Sequence, residues 1–295
     1  MDGILLINKP KGVTSRDVVN KISRILNTKK VGHIGTLDPL ATGVLVLCIN
    51  RATKLVELLI DEDKEYIAEV ILGIETDTLD IDGKVIRQVN VKEIDNDKIK
   101  EALNNFKGTI KQEVPLYSSV KLKGKRLYKY ARENKKVTPP TRKVNIKELE
   151  LIEGITEGDK EVKFKIRCFV SKGTYIRSLV RDIGNYLGYP ATMSNLIRTQ
   201  IGDFKIEDTY SIDDVETNNY KLISMLEALS NYPIKEVDQN LEKKISNGMP
   251  IESFFNEDIA VITNNHNELI AIYKQDEIKK GMVKPLKIIK TLDFS

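Results

Sequence analysis

A chain of 295 residues is long enough for one large domain and a small appendage. With 41% apolar and 31% charged residues it has an ordinary globular composition, which excludes disordered and fibrous classes. The formal charge is only +4, but residues 114–143 hold ten Lys or Arg against one acid, Glu133; that segment stands at +9 and leaves −5 on the remainder.

The opening, MDGILLINKPKG, lacks the basic start and long apolar centre of a signal peptide. No apolar run approaches the roughly 20 residues that cross a bilayer, so a cytoplasmic protein with no membrane partner is expected. Thr14-x-x-Asp17 is a capping pattern before Val18, Val19, Ile22, Ile25 and Leu26, which predicts a helix. The loop VGHIGTLDPLATG (31–43) follows, and the apolar run 44–49 reads as a buried strand. Further strands are predicted at 66–72, 84–89 and 162–169, with Val162, Phe164, Ile166 and Cys168 on one face of the last. Ile99, Leu103 and Phe106 make a helical stripe from about Asp97 to Gly108. A second long helix is predicted from Tyr175 to Leu187, stopped by Gly188. Strands and helices mix without regular alternation, so the fold class is α+β with a mixed, largely antiparallel sheet flanked by helices. From about residue 234 the pattern changes to short strands at 259–263, 269–273 and 286–289, the first two joined by Asn264-Asn265-His266-Asn267. Residues 234–295 therefore read as a small β domain.

Several chemistries lack support. Cys48 and Cys168 are far apart in apolar runs, so neither a disulfide nor a C-x-x-C site is written here. Two isolated histidines give no His-based metal cluster, and no metal is expected. Neither G-x-x-x-x-G-K-[ST] nor G-x-G-x-x-G occurs, which removes support for nucleotide hydrolysis and dinucleotide redox chemistry. Gly32-His33-Ile34-Gly35 matches the G-x-x-G of KH-type loops, a four-residue pattern with little information. The basic segment, with Tyr117, Tyr128 and Tyr130 among its charges, points to a polyanion, because cations facing phosphates release counterions and aromatic faces accept unstacked bases. A solvated basic surface is the plainer reading.

Loop 31–43 holds a single acid, Asp38, among small residues. Pro39 pushes its backbone toward extended conformations, and Gly32, Gly35 and Gly43 permit turns and close approach. On these grounds alone Asp38 is either a turn cap or a carboxylate beside room for a planar group.

VGHIGTLDPLATGVL resembles the signature of the TruB-type tRNA pseudouridine synthases, which isomerise uridine 55 in the T-loop of tRNA. The resemblance extends to ILLINKPKGVTS (4–15), LGIETDTLDIDGKV (72–85), the basic inserted segment VPLYSSVKLKGKRLYKYAR (114–132) and SKGTYIRSLVRDIG (171–184), in the family's order. It implies a pseudouridine-synthase fold with a catalytic domain over 1–233, a basic RNA-clamping insertion at about 107–143, and a PUA-like RNA-binding domain over 234–295. The implied reaction moves the ribose bond from N1 to C5 of one base, so no group enters or leaves and no cofactor is expected. A single carboxylate can attack the sugar or loosen a ribose proton and then resolve the intermediate, whereas glycosidases generally need a second carboxyl group.

Position by position, the resemblance makes Asp38 the catalytic acid, Tyr66 the ring packed on the uracil and active at C5, and Arg177 the partner of the aspartate. Carboxylates ionise at neutral pH unaided, so orientation and charge balance are the arginine's implied tasks. Tyr175 and Leu196 line the uracil pocket, and His33 fills the gap left in the RNA by the extruded base. Lys121, Lys123, Lys125, Arg126, Lys129 and Arg132 hold the RNA backbone. Read without the resemblance, Tyr66 is an aromatic at a strand start, Arg177 a surface helix residue, and Tyr175, Leu196 and His33 packing or loop residues. The stretch Leu196-Ile197-Arg198-Thr199 departs from the family, many of whose members carry two adjacent arginines there; one RNA contact is placed in doubt. The implied partner is the tRNA T-arm, and nothing demands more than a monomer. Two other readings stand beside this one: a noncatalytic RNA-binding or RNA-folding module, and the guide-RNA-dependent branch of the superfamily.

Overall fold

The computed structural model describes residues 1–157 and 161–290; the end of the expected β domain, 291–295, lies outside the described residues. The N-terminal strand Gly3–Lys9 (β1) leads into helix Ser15–Ile25 (α1), where Thr14 and Asp17 form the reciprocal capping box and Val18, Val19 and Ile22 are buried. Val31–Ile34 (β2) and Thr42–Ile49 (β3) flank the Asp38 loop, and a 3₁₀ turn and the short helix Val56–Leu59 (α2) lead to Lys64–Leu72 (β4). Ile74–Thr76 (β5) and Val85–Gln88 (β6) form a separate hairpin, so the expected strand at 84–89 is present but exposed and off the main sheet.

Asn96–Asn105 (α3) buries Ile99 and Leu103 and is capped by Asp95, while Phe106 lies just beyond its end. Gly108–Glu113 (β7), the two-residue strands Lys121–Leu122 (β8) and Lys125–Arg126 (β9), helix Leu127–Arg132 (α4) and the long strand Thr141–Glu157 (β10) follow. The expected insertion at 107–143 therefore begins and ends in the main sheet: β7 pairs with β10 from Thr141↔Glu113 to Ile146↔Gly108, and only the residues between them leave it. Val162–Val170 (β11), helix Ile176–Tyr186 (α5), Ala191–Ile201 (β12) and Phe204–Lys205 (β13) complete the sheet. Its order is β1-β3-β12-β4-β11-β10-β7, with β2 added to β3 and β13 to β12. All pairs are antiparallel except β12 with β3, which meet in parallel at Ile197↔Thr42 and Arg198↔Gly43. The inner faces of β4, β10, β11 and β12 pack on α3 and α5 through Val70, Phe164, Ile166, Leu179, Ile183 and Met193.

After helix Ile212–Glu216 (α6), the strands Ile234–Val237 (β14), Ile251–Glu252 (β15), Ile259–Asn264 (β16), Leu269–Gln275 (β17) and Met282–Ile288 (β18) form a five-stranded sheet with helix Gln239–Ser246 (α7). This small sheet is not detached: Val261, Leu269, Ile272 and Ile289 share a core with Ile4, Val44, Val46 and Leu55.

Candidate active site

Asp38 lies in the loop between β2 and β3, and the loop's backbone is tied down on several sides. Ser15, the first residue of α1, accepts from the Leu37 N–H at 2.8 Å and donates to the Leu37 carbonyl. The Gly12 N–H donates to the Pro39 carbonyl at 2.8 Å, and Lys9 donates to Val13 at 2.7 Å and to Pro39 at 3.4 Å. Lys9 is fully buried, and burial pushes its ammonium down to about 8.

One Asp38 oxygen sits 2.9 Å from the Arg177 guanidinium, and the Asp38 side chain remains 40% exposed while that of Arg177 is only 6% exposed. Arg177 is thus no surface residue. It lies in the first turn of α5 and donates to the carbonyls of Thr78 at 2.9 Å and Tyr117 at 3.0 Å. Its other terminal nitrogen is 3.3 Å from Asp80. The single acid of the loop therefore has a second carboxylate on the far side of its arginine, which the sequence reading missed because Asp80 belongs to a different motif. Asp80 accepts from the Thr78 hydroxyl at 2.6 Å, and burial raises its pKa against the pull of Thr78 and Arg177.

Tyr66, on β4, is 8% exposed and lies across from Arg198 on β12 and Cys168 on β11. Burial raises the Tyr66 phenol's pKa, and the positive charge of the Arg198 guanidinium opposes that. Leu196, two residues before Arg198, is 6% exposed and shares a core with Tyr66, Leu37, Leu40 and Ala41, so the loop, β4 and β12 converge. Tyr175 occupies the N-cap position of α5; the buried Gln112 side chain donates to its carbonyl at 3.1 Å and accepts from its N–H at 2.8 Å. The guanidinium of Arg142 lies 5.5 Å from the Tyr175 ring centre. His33 sits apart on β2, opposite Leu47, with a buried Nδ1 that has no hydrogen-bond partner. Burial, then Arg16 and Arg198, lowers its pKa, so its ring is neutral at pH 7.

Arg198, the one arginine in the stretch 196–199 that departs from the family, is completely buried; it donates to the carbonyls of Val44 at 2.8 Å and Gly35 at 2.9 Å. In the basic segment Lys121, Lys123, Arg126, Lys129 and Arg132 are exposed. Lys125 is engaged internally, 2.5 Å from Glu133 and 5.0 Å from the Tyr130 ring centre. A cavity of about 650 Å³ near Leu6, Phe204, Tyr210 and Tyr232 contains none of the expected residues, so charge and hydrogen bonding, not volume, mark the site.

A carboxylate left open to solvent, held by a buried arginine beside a buried tyrosine, on a largely antiparallel sheet with a small β domain, is the arrangement that the resemblance to pseudouridine synthases implies. The description "TruB family pseudouridylate synthase (N terminal domain)" matches residues 23–176 and "tRNA pseudouridylate synthase B C-terminal domain" matches 177–240. The chain belongs to the TruB family of tRNA pseudouridine synthases. It is 40% identical over 299 residues to the tRNA pseudouridine synthase B of Bacillus cytotoxicus, covering 98% of this chain and 97% of that one. The Bacillus anthracis protein of the same name is 41% identical over 300 residues, again with 98% and 97% covered. Among solved structures, a Cbf5-Nop10-Gar1 complex is similar with a TM-score of 0.72 and 27% identity over 98% of this chain and 85% of that chain. An H/ACA RNP bound to a substrate RNA containing 2'-deoxyuridine gives 0.71 and 26% identity over 99% and 86%. The enzyme thus converts tRNA uridine to pseudouridine.

Proposed function

We propose that this enzyme acts on uridine 55 in the T-loop of tRNA, alone and as a monomer in the cytoplasm, with Asp38 as the reacting carboxylate. The observation that carries the reading is the Asp38–Arg177 pair: the arginine is buried and fourfold bound, while the carboxylate it orients is still accessible. An extruded uridine sacrifices a few kcal/mol of stacking, and ring contacts in the site offset part of this loss. Tyr66 and Leu196 supply an apolar bed for the uracil, Tyr175 a further ring at its edge, and His33, neutral at pH 7, fills the space the base vacates.

With the base in place, the C1′–N1 bond breaks and the C1′–C5 bond forms, the proton on C5 leaves, and N1 gains one. The sum is an isomerisation with no second substrate. The carboxylate enters either by attacking C1′ or by taking a ribose proton, and in both routes it is regenerated. Arg177 holds it in line and balances its charge, and Asp80 and the two carbonyls hold Arg177. Asp80 does not compete for the chemistry, because both the Thr78 hydroxyl and Arg177 engage it. Tyr66, at the base face, takes part in removing the C5 proton, passing on its own hydroxyl proton as it accepts, so that it ends neutral as it began. The exposed cations Lys121, Lys123, Arg126, Lys129 and Arg132 grip the T-arm backbone, joined by Lys125 when its pair with Glu133 yields.

The purified chain, incubated with unmodified tRNA and with an isolated T-arm hairpin, tests this reading by position-resolved pseudouridine mapping. Pseudouridine at position 55 of both substrates, without added protein or RNA, is expected. Modification elsewhere, or only after a guide RNA is added, contradicts it. The structural neighbours in multi-protein complexes make the guide-dependent reading worth this control, whereas the 40% identity to enzymes named for tRNA favours the stand-alone one.

A further inference from the structure

We propose that Arg198 is a positioning residue for the isomerisation, fixing both ends of the loop that carries Asp38 from a strand position directly across from Tyr66. The proposal rests on the roles given above to Asp38 and Tyr66.

Arg198 has 0% exposure and no carboxylate within ion-pair range among the described residues. A buried guanidinium without a counter-charge is unfavourable unless its donors find acceptors, and here two carbonyls accept from Nε and one terminal nitrogen. Those carbonyls belong to Gly35 and Val44, the residues that bracket the Asp38 loop. Both glycines of the loop ends are shaped around this one residue. At Gly43, with φ of +99°, an added Cβ would stand 2.2 Å from the Arg198 carbonyl oxygen. At Gly35, with φ of +66°, it would stand 3.2 Å from an Arg198 terminal nitrogen. Arg198 is also the cross-strand partner of Gly43 in the parallel junction and of Tyr66 in the antiparallel pair. The loop that carries Asp38 and the strand that carries Tyr66 therefore meet at a single residue, whose fork holds the loop and whose backbone pairs with Tyr66. Lysine cannot replace it, since an ammonium is a point donor and the planar fork spans two carbonyls at once.

The test uses the full chain and tRNA, measuring binding and single-turnover pseudouridine formation well below each variant's melting temperature. Arg198→Met is expected to bind tRNA within about threefold of wild type and to react about 10²-fold more slowly, the scale of loss that a misplacement near 1 Å produces. Arg198→Lys keeps the charge and is expected to remain at least about tenfold slow for the same reason. A rate for Arg198→Met within about threefold of wild type, or a tRNA affinity that falls in step with the rate, overturns the proposal. If the arginine variants do not fold, Gly35→Ala decides: it keeps the cation but crowds the fork off one carbonyl, and a wild-type rate there also overturns the proposal. Wild-type chain that makes no pseudouridine would sink the reading of the site itself, whereas active wild type with fast Arg198 variants would sink only this inference.

Discussion

The loop around Asp38 and the basic segment between β7 and β10 are both irregular, and both face the RNA in the reading above, yet they are built on opposite principles. In the first, backbone atoms are anchored by residues far away in sequence: Ser15 at Leu37, Lys9 at Pro39, Arg198 at Gly35 and Val44. In the second, past Tyr117, whose carbonyl accepts from Arg177, the cations and rings make local contacts, such as Tyr130 to Leu122 and Lys125 to Glu133. The positive charges differ in the same way. Lys9, Lys64 and Arg198 are buried and hold carbonyls, while Lys121, Lys123 and Lys129 stand in water. Bond rearrangement needs groups held within about half an ångström, and buried donors supply that rigidity. Gripping a polyanion needs cations whose counterions can be released, which only exposed ones provide.

Substitutions can break this contrast, and the largest effect falls where the rigid region meets the chemistry: Asp38→Asn is expected to leave no detectable pseudouridine. Arg177→Met comes next. It strands Asp80 and frees Asp38, so urea unfolding should show a loss of roughly 3–5 kcal/mol, the scale of a broken buried ion pair, together with strongly reduced turnover. Gly43→Ala should lose at least about 2 kcal/mol in the same assay, since both φ and the Arg198 carbonyl forbid a side chain there. In the basic segment the triple change Lys121, Lys123 and Lys129 to Ala should leave unfolding within about 0.5 kcal/mol of wild type. It should instead weaken tRNA binding and flatten its dependence on log salt by up to about 0.9 per lost phosphate contact. The smallest effect concerns His33. Its folded pKa lies below the ordinary 6.5, so its stabilising contribution is present above pH 6.5 and is lost as the pH falls through the lowered value. Melting temperature should therefore decline below pH 6.5 slightly less steeply in His33→Gln than in wild type.

Much of this was legible in the sequence because it is local. The capping box of Thr14 and Asp17, the buried run of β3 and the helical stripe of α5 follow from spacing over a single turn or strand. The candidate site was legible through long motifs and not through periodicity. What stayed hidden depends on pairs distant along the chain. β7, β10 and β12 were not predicted as strands; β10 is irregular, with register shifts against β11, and β12 also carries shifts against β4. Asp80 is separated from Arg177 by nearly a hundred residues, and only the fold brings them within 3.3 Å. Without the resemblance Arg177 reads as a surface helix residue because arginine is normally exposed, and no local pattern announces that Arg198 is buried with its guanidinium bonded to the carbonyls of Val44 and Gly35. In the basic segment the counts of charge were right, but composition cannot say that Lys125 faces Glu133.

The Asp38 carboxylate is the one group that the proposed isomerisation cannot lose. The most direct measurement follows tRNA binding and position-resolved pseudouridine formation in parallel for the wild-type chain and Asp38→Asn. Equal affinity, with product at position 55 for the wild type alone, is the predicted result. Pseudouridine formed by Asp38→Asn at a rate comparable to wild type would contradict it, because the reaction would then proceed without the group on which the site is built.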